Sequence, residues 1–164
     1  MCRINASLRL IPAIVIMVLF ACKAQAQKTA QHFPDSAIAQ QNFVFRANWV
    51  IDYLGNRRQL TPPYELLVTS DSIDCHLPYQ GRMYSLPAPV DLRLMSIRFT
   101  SKKFGYMVQP GRRSGWNITI KPADTREVQE LFFNVASRGT ASLAIRSTNR
   151  DRVSYEGNIE PLPH

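Results

Sequence analysis

From Asn42 onward the apolar residues of this chain recur at every second position, in short runs separated by turn-forming residues, and that period constrains the fold more than any other feature. Phe43, Phe45, Ala47, Trp49 and Ile51 alternate with Val44, Arg46, Asn48 and Val50. Successive side chains of a strand point to opposite faces, so this is a strand with one face buried. Residues 54–63 carry Gly55-Asn56 and Pro62-Pro63 and read as a loop before a strand at 64–69. Ser70-Asp71 then turns the chain into 72–77, where Ile73, Cys75 and Leu77 share a face. Leu86-Pro87-Ala88-Pro89 is a connection, because proline brings no donor to a ladder.

The second half repeats the theme. Ile97 and Phe99 hold a parity that Phe104, Tyr106 and Val108 break, which predicts a turn or bulge at Ser101-Lys102-Lys103. Beyond a turn at 109–115, Trp116, Ile118 and Ile120 make the next strand. Val128, Leu131, Phe132 and Val135 fit helical spacing, whereas Leu131, Phe133 and Val135 fit a strand. A strand from about Gln129 is expected, after a helical turn that Asp124 opens with Glu127 three residues on. Arg138-Gly139 joins it as a hairpin to 141–147, and 152–159 is the final strand. About eight or nine short strands with frequent turns predict an all-β, antiparallel meander, folded as a sandwich or a small barrel. Pro34-Asp35-Ser36 adds a short N-terminal helix through Ala37 to Gln41.

Residues 1–26 have a different character. Basic Arg3 and Arg9 precede the apolar run 10–21, and Ala24-Gln25-Ala26 stands before Gln27. The run is shorter than the roughly 20 residues a spanning helix needs, and the pattern is that of an export signal. Cleavage after Ala26 gives a soluble chain starting at Gln27. Alternatively Leu19-Phe20-Ala21-Cys22 reads as a lipobox with Cys22 acylated, although bulky Phe20 fits that box poorly. The expected organisation is a signal peptide at 1–26, a tether with the short helix at 27–41, one β domain at 42–160 and a tail at 161–164. The location is periplasmic or secreted, or lipid-anchored to the envelope.

Of the three cysteines, Cys2 and Cys22 fall in the signal region, so a chain cleaved after Ala26 keeps Cys75 alone and has no internal disulfide. An ordinary apolar core must hold it, and small disulfide scaffolds are excluded. The formal net charge is +8, of which Arg3, Arg9 and Lys23 supply three, leaving a moderate +5. Nucleic acid is a poor partner for an exported protein despite that balance.

The densest unusual segment is Asp74-Cys75-His76-Leu77-Pro78-Tyr79-Gln80-Gly81-Arg82-Met83-Tyr84. A nucleophile–base pair of Cys75 and His76 is opposed by strand geometry, which puts them on opposite faces. Asp74 and His76 do share a face, as a solvated pair or as one that tunes the imidazole. No metal site is expected, since His32 and His164 lie in the terminal segments. No cofactor is expected either: a Gly-rich phosphate loop, paired carboxylates at glycosidase spacing and a G-x-S-x-G elbow are all missing. Pro78 fixes φ, Gly81 permits a positive φ, and Tyr79 and Tyr84 can bury a ring while keeping a hydroxyl wet. The segment is a turn locked by an aromatic lid, or else Tyr79, Arg82 and Tyr84 rim a ligand or partner site with His76. Basic pairs Arg57-Arg58, Lys102-Lys103 and Arg112-Arg113 fall in predicted loops. They are a solubilising set unless the fold gathers them into an anion-attracting surface.

Leu77-Pro78-Tyr79-Gln80-Gly81-Arg82, preceded by Phe43-x-Phe45-x-Ala47, resembles the "LPY-x-G" box of an uncharacterised family of exported Bacteroidota proteins, domain of unknown function family 4251. Gly115-Trp116-Asn117-Ile118-Thr119-Ile120-Lys121 and Val153-Ser154-Tyr155-Glu156-Gly157 are similar to that family's closing segments. The resemblance covers roughly 42–160 and implies a small envelope or secreted β domain, with no activity, substrate or catalytic residue attached. Three functions follow as expectations. The first is a non-enzymatic domain binding an envelope protein, an anionic glycan or a lipid headgroup through loops at one end, with membrane contact only through a lipid anchor. The second is a lipocalin-like barrel holding an apolar or amphipathic ligand, with Phe45, Trp49, Tyr106 and Trp116 facing inward. The third, ranked last, is a hydrolase using His76.

Overall fold

In the computed structural model, which describes residues 34–84 and 95–162, a short helix α1 (Asp35–Ala39) precedes nine strands. These are β1 (Phe43–Ile51), β2 (Arg57–Val68), β3 (Ile73–Pro78), β4 (Ser96–Ser101), β5 (Phe104–Pro110), β6 (Trp116–Pro122), β7 (Val128–Val135), β8 (Thr140–Ser147) and β9 (Val153–Glu160). The expected signal peptide, its processing points Cys22, Ala26 and Gln27, and the connection at 86–89 lie outside the described residues.

All eight strand pairings are antiparallel, in the order β4-β3-β2-β1-β9-β8-β7-β6-β5, and the sheet curls into a nearly closed barrel. The two ends of that order, β4 and β5, follow each other in the chain through Lys102 and Lys103 alone. With nine strands alternating in direction, β4 and β5 run the same way. They are therefore two halves of one long strand that pairs with β3 before a kink and with β6 after it. The parity break read from the sequence is this kink.

Asp124 holds it in place. Its carboxylate accepts from Ser101 Oγ, from Lys102 N at 2.8 Å and from Lys103 N at 3.2 Å. The Ser101 hydroxyl, followed by the two backbone amides, keeps the carboxyl below its ordinary value of 3.8. A carboxyl depressed in the folded state contributes stability above the unfolded value and loses it as pH falls through the folded value. Wild type should therefore be more resistant to urea than Asp124→Asn at pH 6, and that difference should shrink steadily as titration proceeds below about 3.8. The expected helical turn at Asp124 is absent: residues 123–127 are bends and irregular backbone, and β7 starts directly at Val128. The side chain that would have capped a helix is spent on the kink instead.

Alternate residues of every strand fill the interior. Phe43 and Phe45 of β1 meet Phe133 of β7 edge to face, with centroids 6.0 and 5.5 Å apart. Leu66, Ile73, Cys75, Leu77, Ile118 and Leu143 are fully buried around them. Burial pushes the Cys75 thiol far above its usual range, so it is an inert core residue. Ala37 and Ile38 of α1 join the core, and Tyr106 Oη donates to the Ile38 carbonyl at 3.0 Å, which fastens the helix to β5.

Two local expectations are corrected. Trp49 does not face inward: the β1 register slips between Ala47 and Trp49, so Val50 takes the buried parity while Trp49 lies under the Arg57 guanidinium, 4.0 Å from its ring centroid. One extra residue in a strand reverses the facing of everything after it. The same slip explains why 57–63 is strand rather than loop, while 54–56 keep the loop character that Gly55-Asn56 announced. Ala47 pairs with Tyr64 and Trp49 with Gln59, so the strand carries Leu60 to Pro63 where the ladder is interrupted and a missing proline N–H costs nothing.

Candidate functional site

The segment 77–84 leaves β3 where the sheet ends, and its residues are locked both to one another and to the loop before β9. Tyr155 of β9 is buried beneath it and donates its hydroxyl to the Pro78 carbonyl at 2.7 Å. Tyr79 folds over this point with 8% of its surface exposed, and its hydroxyl donates to the Arg82 carbonyl at 2.6 Å. The phenol lies so close over Gly81 that a Cβ there would meet its oxygen at 2.6 Å, which is why glycine stands in this turn. Burial, reinforced by the charge of Asp151, pushes the Tyr79 hydroxyl up to about 12.

Arg150 closes the other side of the Tyr79 ring, with its guanidinium 5.0 Å from the centroid. It is 5% exposed, donates to the Ser96 carbonyl at 3.0 Å and forms an ion pair with Glu127. One fork thus ties β4, the loop before β7 and the aromatic lid together. Replacing Arg150 by alanine leaves the Ser96 carbonyl and Glu127 without this partner. The expected loss is about 2 to 3 kcal/mol of unfolding free energy in urea, the range for a buried charge-assisted bond. Arg150→Lys should recover little of it, because an ammonium cannot reproduce the fork.

Asp151 organises the exposed rim. Its carboxylate accepts from Tyr84 Oη at 2.5 Å and from Arg82 N at 3.3 Å, and its own N–H donates to the Arg82 carbonyl at 3.0 Å. Tyr84 N donates to the Asn149 carbonyl at 3.1 Å. The Arg82 guanidinium lies 5.3 Å from the ring centroid of Tyr53, in the turn between β1 and β2. Tyr53 and Tyr84 nevertheless remain open to solvent, 40% and 68% exposed. The hydrogen bond to Asp151 raises the Tyr84 hydroxyl above its usual range.

Tyr79, Arg82 and Tyr84 therefore come together, and Arg150, Asp151 and Tyr53 belong with them. No local sequence signal points to the last three, since the contacts span about seventy residues or cross between turns. His76 stands apart, on the outer face of β3. Its Nε2 accepts from Arg98 at 2.5 Å and its ring meets Tyr64 edge to face, while Asp74 accepts from Thr100. One of its two ring nitrogens is thus engaged. Arg112 and Arg113 are exposed in a 3-10 turn, Arg112–Ser114, where β6 starts. The register links the start of β6 to the ends of β7 and β9, whereas the Tyr79 cluster adjoins the start of β9. The basic pairs are accordingly dispersed: Arg57 is in β2, not a loop, and pairs with Glu156, and Lys102-Lys103 form the kink. Among the described residues no three His, Cys, Asp or Glu side chains converge as metal ligands, and no helix is long and apolar enough to cross a membrane.

A family model described as a domain of unknown function, DUF4251, matches residues 24–159. The chain belongs to the DUF4251 family. A crystal structure of a DUF4251 family protein from Bacteroides eggerthii is similar to it, with 17% sequence identity and a TM-score of 0.57 over 77% of this chain and 83% of that one. At that identity the likeness concerns the fold. Curated proteins give no match. Membership in the DUF4251 family and a barrel of antiparallel strands agree with the resemblance read from the sequence.

Proposed function

We propose that this DUF4251 protein is an exported, non-enzymatic binding domain of the bacterial envelope that recognises a glycan at the Tyr53–Arg82–Tyr84 end of its barrel. The observation that carries the reading is Tyr84: a large ring left in solvent although both its hydroxyl and its backbone are tied down. Holding an exposed aromatic in one place removes the ordering cost a ligand would otherwise meet. Two phenol rings offer flat faces to sugar C–H groups, and the Arg82 guanidinium and the phenol oxygens offer hydrogen bonds to hydroxyls or acidic substituents. His76, held on the outer face of β3 by Arg98 and Tyr64, fits a binder better than a hydrolase.

A glycan array of envelope polysaccharides, probed with the full chain and with Tyr84→Ala and Tyr53→Ala, tests the binding half. Selective binding that falls at least about tenfold in both variants is expected, on the scale of an aromatic contact residue. No selective binding, or binding equal in the variants, would refute it. Intact-mass spectrometry of protein recovered from its host tests export. A mass beginning at Gln27, or an acyl adduct on Cys22, agrees with the proposal, and an uncleaved cytoplasmic chain contradicts it.

A further inference from the structure

On the opposite side of the molecule's chemistry, the outer face of β6, β7 and β8 carries a depression of about 320 Å³ that the site above does not use. Strand register builds it. Thr119 lies opposite Phe132 and Phe132 opposite Ala144, so one large ring sits between two small side chains and leaves a dip on each flank. Phe132 is 39% exposed, a phenyl ring forming an apolar wall in water.

The rim is charged and unbalanced. Glu130 lies opposite Arg146 and is shared between two cations, Arg146 Nη2 at 3.4 Å and Lys121 Nζ at 3.6 Å. Arg152 completes the lining, and its guanidinium has no acidic partner among the described residues. Three cations thus face one carboxylate beside an exposed ring. That combination complements a ligand with a flat apolar body and a carboxylate at its edge: the ring covers Phe132, and the carboxylate takes the two donors that Arg152 offers in its fork. The volume is at the lower end for small-molecule sites and suits a ligand built around one ring.

We infer that the outer face of β6–β8 is a site for a small aromatic carboxylate, seated on Phe132 and anchored by Arg152. The test is a titration of the isotope-labelled 164-residue chain with 3-phenylpropionate, its neutral amide and inorganic phosphate, followed by amide chemical shifts. Saturable shifts centred on Thr119, Phe132, Ala144 and Arg152 are expected with the acid. Affinity should drop about tenfold or more for the amide, for Arg152→Gln and for Phe132→Ser, the scale of one charge-assisted anchor. Both substitutions lie on the outer face, so unchanged shifts for Phe43, Phe45 and Tyr155 will show that the barrel is intact. Equal affinity for the amide, or for Arg152→Gln, would overturn the proposal. Phosphate binding as well as the acid would overturn its apolar half, and an absence of saturable shifts would overturn all of it.

Discussion

Gly157→Ala is expected to destroy the barrel or leave it barely stable. Gly157 lies in β9 between Ala47 of β1 and Ala141 of β8. A Cβ at this position would collide with the Arg46 carbonyl oxygen and come within 2.8 Å of its carbon and 3.1 Å of Ala47 Cα. These are backbone atoms of a paired strand, so no side-chain rotation relieves the clash. β1 must withdraw from β9, and that ladder joins the first four strands to the last five. Overpacking a well-filled site costs about 1 to 3 kcal/mol, and a rigid backbone neighbour puts this case at or above the upper end. Against a total of roughly 5 to 15 kcal/mol, the variant should appear as insoluble protein or as a chain with a greatly lowered urea midpoint. Gly105→Ala is the matched control, since a Cβ there meets nothing within 4 Å. It should change stability by no more than about 0.5 kcal/mol. Equal behaviour of the two alanines would show that β1 and β9 are not packed as described.

Phe133→Ala should cost about 3 to 5 kcal/mol, the range for deleting a buried aromatic side chain. Phe133 is fully buried at the meeting of β1 and β7, and its loss removes both edge-to-face contacts, to Phe43 and to Phe45, at once. Chemical unfolding followed by far-ultraviolet circular dichroism gives the value directly. The measurement also bears on function. A loss below about 1.5 kcal/mol would mean that the interior yields without forming a cavity. Such slack would return weight to a ligand held inside the barrel.

Both predictions rest on facing, and facing is where the sequence was legible and where it failed. Period-two alternation marked β1, β3, β4 and β6, because burial on one side imposes it, whereas in β7 it competed with a helical spacing. It also located the β4–β5 kink, since Ile97 and Phe104 cannot share a face without an extra residue. It misjudged Trp49, where the bulge opposite Pro62-Pro63 turned a large indole outward; a bulge shows in sequence only after the partner strand is known. Asp124 was misread for the same reason. Its spacing to Glu127 imitates a helix start, while its true partners are Ser101, Lys102 and Lys103, more than twenty residues back. The site was half legible. Tyr79, Arg82 and Tyr84 stood out as turn chemistry, but Arg150 and Asp151, which hold them, look in sequence like ordinary loop charges.

The pairing of β1 with β9 also sets a clock. Val44 lies beside Glu160, so the central ladder is the one with the longest loop to close, and no shorter-range pairing can substitute for it. Closing a ladder across so long a separation is slow, on the order of milliseconds to seconds. β1 stays an open edge until β9 has been made, and the barrel closes only once that strand has arrived. The first four strands therefore wait for β9 before they join the other five.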